Sequence, residues 1–218
     1  MNRNSLVVAL TLALTFAGSA FAHGDDIDKV NGSINVAGDQ HAGNLSTVNG
    51  SIHIDDGANA QKVSTVNGSI RIGAHATIDS LETVNGGIEV GENTHVARTI
   101  EAVNGSVRLG KGADVAGRVS NVNGRFTFEA AHIGGGIETV GGDIEIGADS
   151  RIEGGIIVDK PSGMSWGKPR NPRIVIGPHA VVQGTLEFRR EVDLFVSDSA
   201  KIGTVTGATA TKFSGDHP

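Results

Sequence analysis

The chain has 218 residues and a formal net charge of −6, with 19% charged residues, 32 glycines, one tryptophan, and neither tyrosine nor cysteine. No disulfide can staple such a fold, and the acidic balance argues against a general affinity for nucleic acid. Many glycines and few bulky residues suit a slender core interrupted by tight turns.

Arg3, the apolar run Leu6 to Phe16 and the small residues ending Ala20-Phe21-Ala22 read as a secretory signal peptide over residues 1–22, with an Ala-x-Ala cleavage site. The run is shorter than the roughly 20 residues that span a bilayer. The mature chain is therefore expected to begin near His23 and to be exported, to the periplasm or the cell exterior, with no transmembrane segment once the leader is removed. No cysteine follows the cleavage site, which argues against a lipid-anchored form.

The segment Val-Asn-Gly-Ser-Ile then recurs, starting at Val30, Val48, Val66, Val84, Val103, Val122 and Val140, in steps of 18, 18, 18, 19, 19 and 18 residues. A period this short holds no helix pair, so each repeat is one unit that buries its apolar side by stacking on the next. Counted from the valine, position 5 reads Ile34, Ile52, Ile70, Ile88, Val107, Phe126, Ile144, and position 7 reads Val36, Ile54, Ile72, Val90, Leu109, Phe128, Ile146. A polar position 6 between them gives the period-2 signature of a half-buried strand. Small residues near position 11 (Ala58, Ala76, Thr94), apolar ones near 13 (Ala60, Ile78, Val96) and a further one at 16 or 17 (Leu45, Val63, Leu81) complete three inward segments per repeat.

These patterns predict an all-β, single-stranded parallel β-helix (β-solenoid) of about nine coils of 18–20 residues. The 19-residue repeats and the variable third side favour a right-handed over a left-handed coil. Val and Ile are expected to fill the coil. Asn-Gly is expected to turn its corner through positive φ, stacking Asn31, Asn49, Asn67, Asn85, Asn104 and Asn123 into an amide ladder. At the outward position 6, Arg71, Glu89 and Arg108 should form an opposite-charge ladder on a solvated face.

The repeat, running over 30–158, breaks at residues 159–172, which carry three of the five prolines, the only tryptophan and several cations. This reads as an inserted loop, and Lys160, Trp166, Lys168 and Arg170 are its candidate partner-binding residues, since an aromatic ring among cations suits an acidic polymer, a glycan or a protein. The alternative is that Trp166 folds back over the coil wall. The last coils occupy 173–206, closing a solenoid that spans 23–206, and residues 207–218 read as a flexible tail.

Two resemblances follow. The phrase Ile-x-Ile-Gly-x-x-Ala-x-Val-x-Gly-x-Leu at Ile174 to Leu186, echoed at Ile70 to Leu81, resembles the bactofilins, polymer-forming bacterial β-helix proteins. The phrase Thr-Val-Asn-Gly-Ser-Ile at Thr47 to Ile52 and Thr65 to Ile70 is similar to exported adhesin-like β-strand-repeat proteins. Bactofilins are cytoplasmic, whereas this chain carries an export signal. The resemblances imply the β-helix architecture, and repetition without a chemical constellation points to a non-catalytic structural scaffold or adhesin-like binder of the bacterial envelope, associating with itself through coil ends or walls, or with a glycan or an envelope protein.

The alternative is an enzyme: a β-helix acting on a polysaccharide, or a hexapeptide-type metalloenzyme. His53, His75, His95 and His132 fall at positions 6, 10, 12 and 11 of their repeats, so the spacing predicts no metal-ligand ladder. Asp55 and Asp56 read as a solvated corner rather than an acid and a base. No cofactor is expected and no catalytic or metal residue is assigned.

Overall fold

The computed structural model describes residues 24–161 and 170–218; the segment read as a leader, together with Trp166 and Lys168, lies outside them. Every regular element among the described residues is a strand, and all paired strands run parallel. A ten-stranded sheet runs from Ile34–Val36 to Ala210–Phe213, and a sixteen-stranded sheet covers the other two faces, joined across them by the long strands Asn59–Asn67 and Thr77–Asn85. The chain is a β-solenoid of about ten turns. Among the described residues no helix is long and apolar enough to cross a membrane.

On the first face, positions 5 and 7 point inward and stack in register, Ile52 on Ile70 and Ile54 on Ile72. The second face contributes one buried aliphatic per turn, such as Ile78, Val96 and Val115. The third face contributes Leu45, Val63, Leu81 and their successors. Phe126 and Phe128 enlarge one layer, with ring centroids 5.7 Å apart and no exposure to solvent.

The leading valine does not fill the coil as expected. On the third face the inward residues are Leu45 and Thr47, Val63 and Thr65, Leu81 and Thr83, so alternation turns the valine that follows each threonine outward. Val30 is 62% exposed, and Val48, Val66, Val84, Val103, Val122 and Val140 are part-exposed and stand outside the core cluster. The buried threonine takes the place assigned to valine because its hydroxyl has work there. Thr47 Oγ1 donates to the Gly32 carbonyl at 3.1 Å, Thr65 to Gly50 at 2.9 Å and Thr83 to Gly68 at 3.3 Å, tying each strand to the corner of the preceding turn.

The Asn-Gly corner also works differently from expectation. None of its asparagines has a positive φ, and of its glycines only Gly32 (106°) and Gly124 (139°) do. Glycine is required there by close approach: a Cβ on Gly68 would lie 2.0 Å from the Gly50 carbonyl oxygen. The left-handed conformation belongs to the next corner, where Asp39, Gly57, His75, Asn93, Gly112, Ala130, Asp149 and His179 all have φ between 43° and 73°. His75 and His179 are thus turn residues.

The stack extends past the expected end at 206. Ala210–Phe213 pairs with Asp193–Ser197 as the tenth strand of the first face, inside the segment read as a tail. Lys212 there stands in register with the buried Val196, placing a cation where every earlier turn carries an apolar residue. A charge at such a position blunts a sheet edge against further pairing.

Gly68→Ala is expected to cost about 2–3 kcal/mol, because the coils must part to admit the methyl group. Urea unfolding followed by circular dichroism measures it; an unchanged midpoint would contradict the close-approach argument.

Candidate functional site

The inserted loop leaves the third face after Ile156–Val158 and rejoins the first face at Arg173–Ile176, so it replaces an Asn-Gly corner. Lys160 is exposed at its start. Arg170, at its end, folds back on the coil, donating from Nη2 to both Asp143 oxygens at 2.9 and 2.8 Å. The Arg173 amide donates to the same carboxylate at 2.9 Å, and Arg125 lies 3.6 Å from it. Burial pushes the Asp143 carboxyl up, but the Arg170 hydrogen bonds, the Arg173 amide and the charges of Arg170 and Arg125 outweigh it and hold the group below its ordinary value. The guanidinium of Arg170 is held above its own for the same reason.

Arg190 braces the loop from the following turn, donating to the Val140 carbonyl at 3.0 Å and the Arg170 carbonyl at 3.1 Å. Arg189 joins Glu187 at 2.8 Å and Asp159 at 3.0 Å; its pKa is raised and that of Glu187 is lowered by their shared hydrogen bond. Arg173 lies over the Phe195 ring at 5.1 Å. Of the four candidate loop residues, Arg170 is thus brought into a cluster with Arg125, Arg173 and Arg190, which sequence reading had not singled out. Only the Arg189-Arg190 pair, one turn after the loop, hinted at them.

The six candidate corner asparagines form one column. Each donates from Nδ2 to Oδ1 of the asparagine one turn earlier: Asn49 to Asn31 at 3.0 Å, Asn67 to Asn49 at 3.0 Å, Asn85 to Asn67 at 3.1 Å, Asn104 to Asn85 at 3.2 Å and Asn123 to Asn104 at 3.2 Å. The column stops at Gly141, which has no side chain to continue it, and the inserted loop occupies the corner of the turn after that.

Histidine placement departs from the expected scatter. His95 and His132 flank Asp114 in register on the second face, with Nδ1 atoms 2.6 and 2.5 Å from its two carboxylate oxygens. Their different position numbers arise at the corners, which absorb the one-residue differences in repeat length while the strands keep register. Burial pushes the Asp114 carboxyl up, but the hydrogen bonds and charges of His132 and His95 hold it below its ordinary value. His132 Nε2 lies 3.4 Å from Glu153, which also takes Arg151 at 3.3 Å, and His53 pairs with Asp55 at 2.9 Å. Among the described residues no group of three or more His, Asp or Glu side chains is arranged to hold a metal ion.

Concavities are shallow. An open groove of about 460 Å³ on the third face is lined by Arg118, Glu138, Ile157, Glu187 and Arg189, and Arg118 meets Glu138 at 2.5 Å within it. Arg71 and Glu89 pair at 3.4 Å on the first face. Comparison with protein-family models, curated proteins and solved structures finds no match to this chain.

Because the folded Asp143 titrates below its ordinary value of 3.8, its carboxylate stabilises the fold fully above that pH and loses the contribution as the pH falls through the lower folded value. Asp143→Asn is therefore expected to lower the urea midpoint at neutral pH and to converge on the wild type in acid below that window. Parallel urea titrations at the two pH values check this, and an equal difference at both would contradict it.

Proposed function

We propose that this protein is a non-catalytic, exported β-solenoid that serves the bacterial envelope as a structural scaffold or adhesin-like binder. The observation that carries the reading is how its outward polar groups are used. They pair with one another along the columns, as in the asparagine ladder, Arg71 with Glu89, His95 and His132 with Asp114, and Arg118 with Glu138. Groups spent on neighbours in this way build flat, repetitive walls, whereas catalysis needs groups converging on a reacting atom in a cleft. The polymer-forming and adhesin-like resemblances of the repeat phrases point in the same direction, and the leader over 1–22 supplies the export.

The basic loop is the recognition element in this reading. In sequence the loop carries Lys160, Trp166, Lys168 and Arg170, a composition suited to an acidic glycan or an envelope protein, and Arg170 joins the arginine cluster of the last turns. Pull-down from an envelope fraction with the mature chain and with a variant lacking residues 159–172 tests this. Partners are expected to be lost with the loop; equal retention by both proteins would remove the loop from the proposal. Size-exclusion chromatography and negative-stain microscopy test the scaffold version, which a strict monomer at every salt concentration would sink.

A further inference from the structure

We propose that the third face seats a second copy of this chain, the two solenoids lying side by side with parallel axes and their valine columns in contact. This rests on the scaffold reading above and names the wall that does the associating.

The column from Val30 to Val140 contributes an outward valine at every one of seven successive turns, part-exposed and outside the core. Solvation asks for no apolar residue there, and the corresponding outward column of the first face reads Asn35, His53, Arg71, Glu89 and Arg108. A continuous apolar stripe bordered by polar residues marks a contact surface. The stripe ends at the turn where Asp159 takes the valine's place and pairs with Arg189.

Size favours a modest, reversible contact. Six steps of about 4.8 Å give a stripe about 29 Å long, and a strand of five residues is about 17 Å wide, so a footprint of about 500 Å² per copy buries about 1,000 Å² in all, the lower bound for specific association. The valines are flanked on one side by the column Ser46, Ser64, Glu82 and Glu101 and on the other by the corner asparagines. A two-fold along the solenoid axis lays valine on valine turn by turn and exchanges the flanks, so carboxylates and hydroxyls meet asparagine amides, each of which keeps an N–H beyond its ladder bond. The opposite orientation folds this column onto its own copy and takes Glu101 and the hydroxyls away from the asparagine amides, while Glu82 stays paired with Lys62 at 2.6 Å. The C-terminal edge is a poorer seat, because Lys212 occupies the last strand.

The chain has no cysteine, so single cysteines report the contact without interference. Val48→Cys and Val103→Cys, in separate proteins at high concentration under mild oxidation, are each expected to cross-link to themselves, while Asn35→Cys on the first face is not. Sedimentation should show a concentration-dependent dimer whose dissociation constant rises at least about tenfold in Val84→Lys, which sets like charges face to face; circular dichroism checks that this outward substitution leaves the fold intact. A wild type that stays monomeric without cross-links overturns the inference. So does a dimer that Val84→Lys leaves unchanged, or cross-linking at only one of the two valine positions. Association through another surface, or loop-dependent capture of a partner by a monomer, would leave the broader scaffold or binder reading standing while this wall is excluded.

Discussion

Backbone hydrogen bonding along the solenoid axis is the constraint from which the other features follow. Each turn donates to the next at matching positions, as Ile52 does to Ser69 at 3.0 Å and Gly68 to Asn85 at 3.1 Å. Coils held at strand spacing place every residue directly over its counterpart, so a choice made once is repeated as a column. Aliphatics become a continuous core and amides become a ladder. Any Cβ at the tightest corner becomes a clash, which is why glycine recurs there even where φ is ordinary. Polar residues can line the interior on the same terms. Among the described residues, no buried side-chain nitrogen or oxygen lacks a hydrogen-bond partner.

Much of this was legible in the period. Alternation at positions 5 and 7 identifies the first face, and the spacing of Leu45, Val63 and Leu81 identifies the third. The outward valine was misread because a stacked, β-branched residue on a sheet surface has the same composition as one in the core. Thr47 and its successors held the decisive clue, since a strand that buries Leu45 must also bury the residue two places on. The His95–Asp114–His132 column was hidden for a different reason: counting from a repeat start carries each corner's slip forward, whereas hydrogen bonding resets register at every strand. The contact of Arg170 with Asp143 crosses 27 residues and spans the insertion, so no local pattern could announce it. Ala210–Phe213 escaped notice because its inward register is not apolar throughout.

The insertion sits where the regular stack has already changed character. The asparagine column ends at Gly141, Asp143 gathers arginines from before and after the loop, and Arg190 reaches back across two chain segments to hold them. An extra segment opened in mid-stack would leave neighbouring turns without partners. Here the charged cluster closes the gap, and Ile144 still pairs with Ile174 across it. The last turns are thereby distinguished chemically from the first ones, which are governed by amide and valine columns.

The asparagine ladder has one more property. All five of its bonds run the same way, from Nδ2 of one turn to Oδ1 of the turn before. Amides aligned head to tail polarise one another and add their dipoles, much as peptide groups do along a helix. The rod therefore has an electrical direction written in side chains: positive where Asn31 offers its N–H groups at the first turn, and negative where Asn123 presents its oxygen to Gly141. An object assembled from near-identical turns can in this way still tell its beginning from its end.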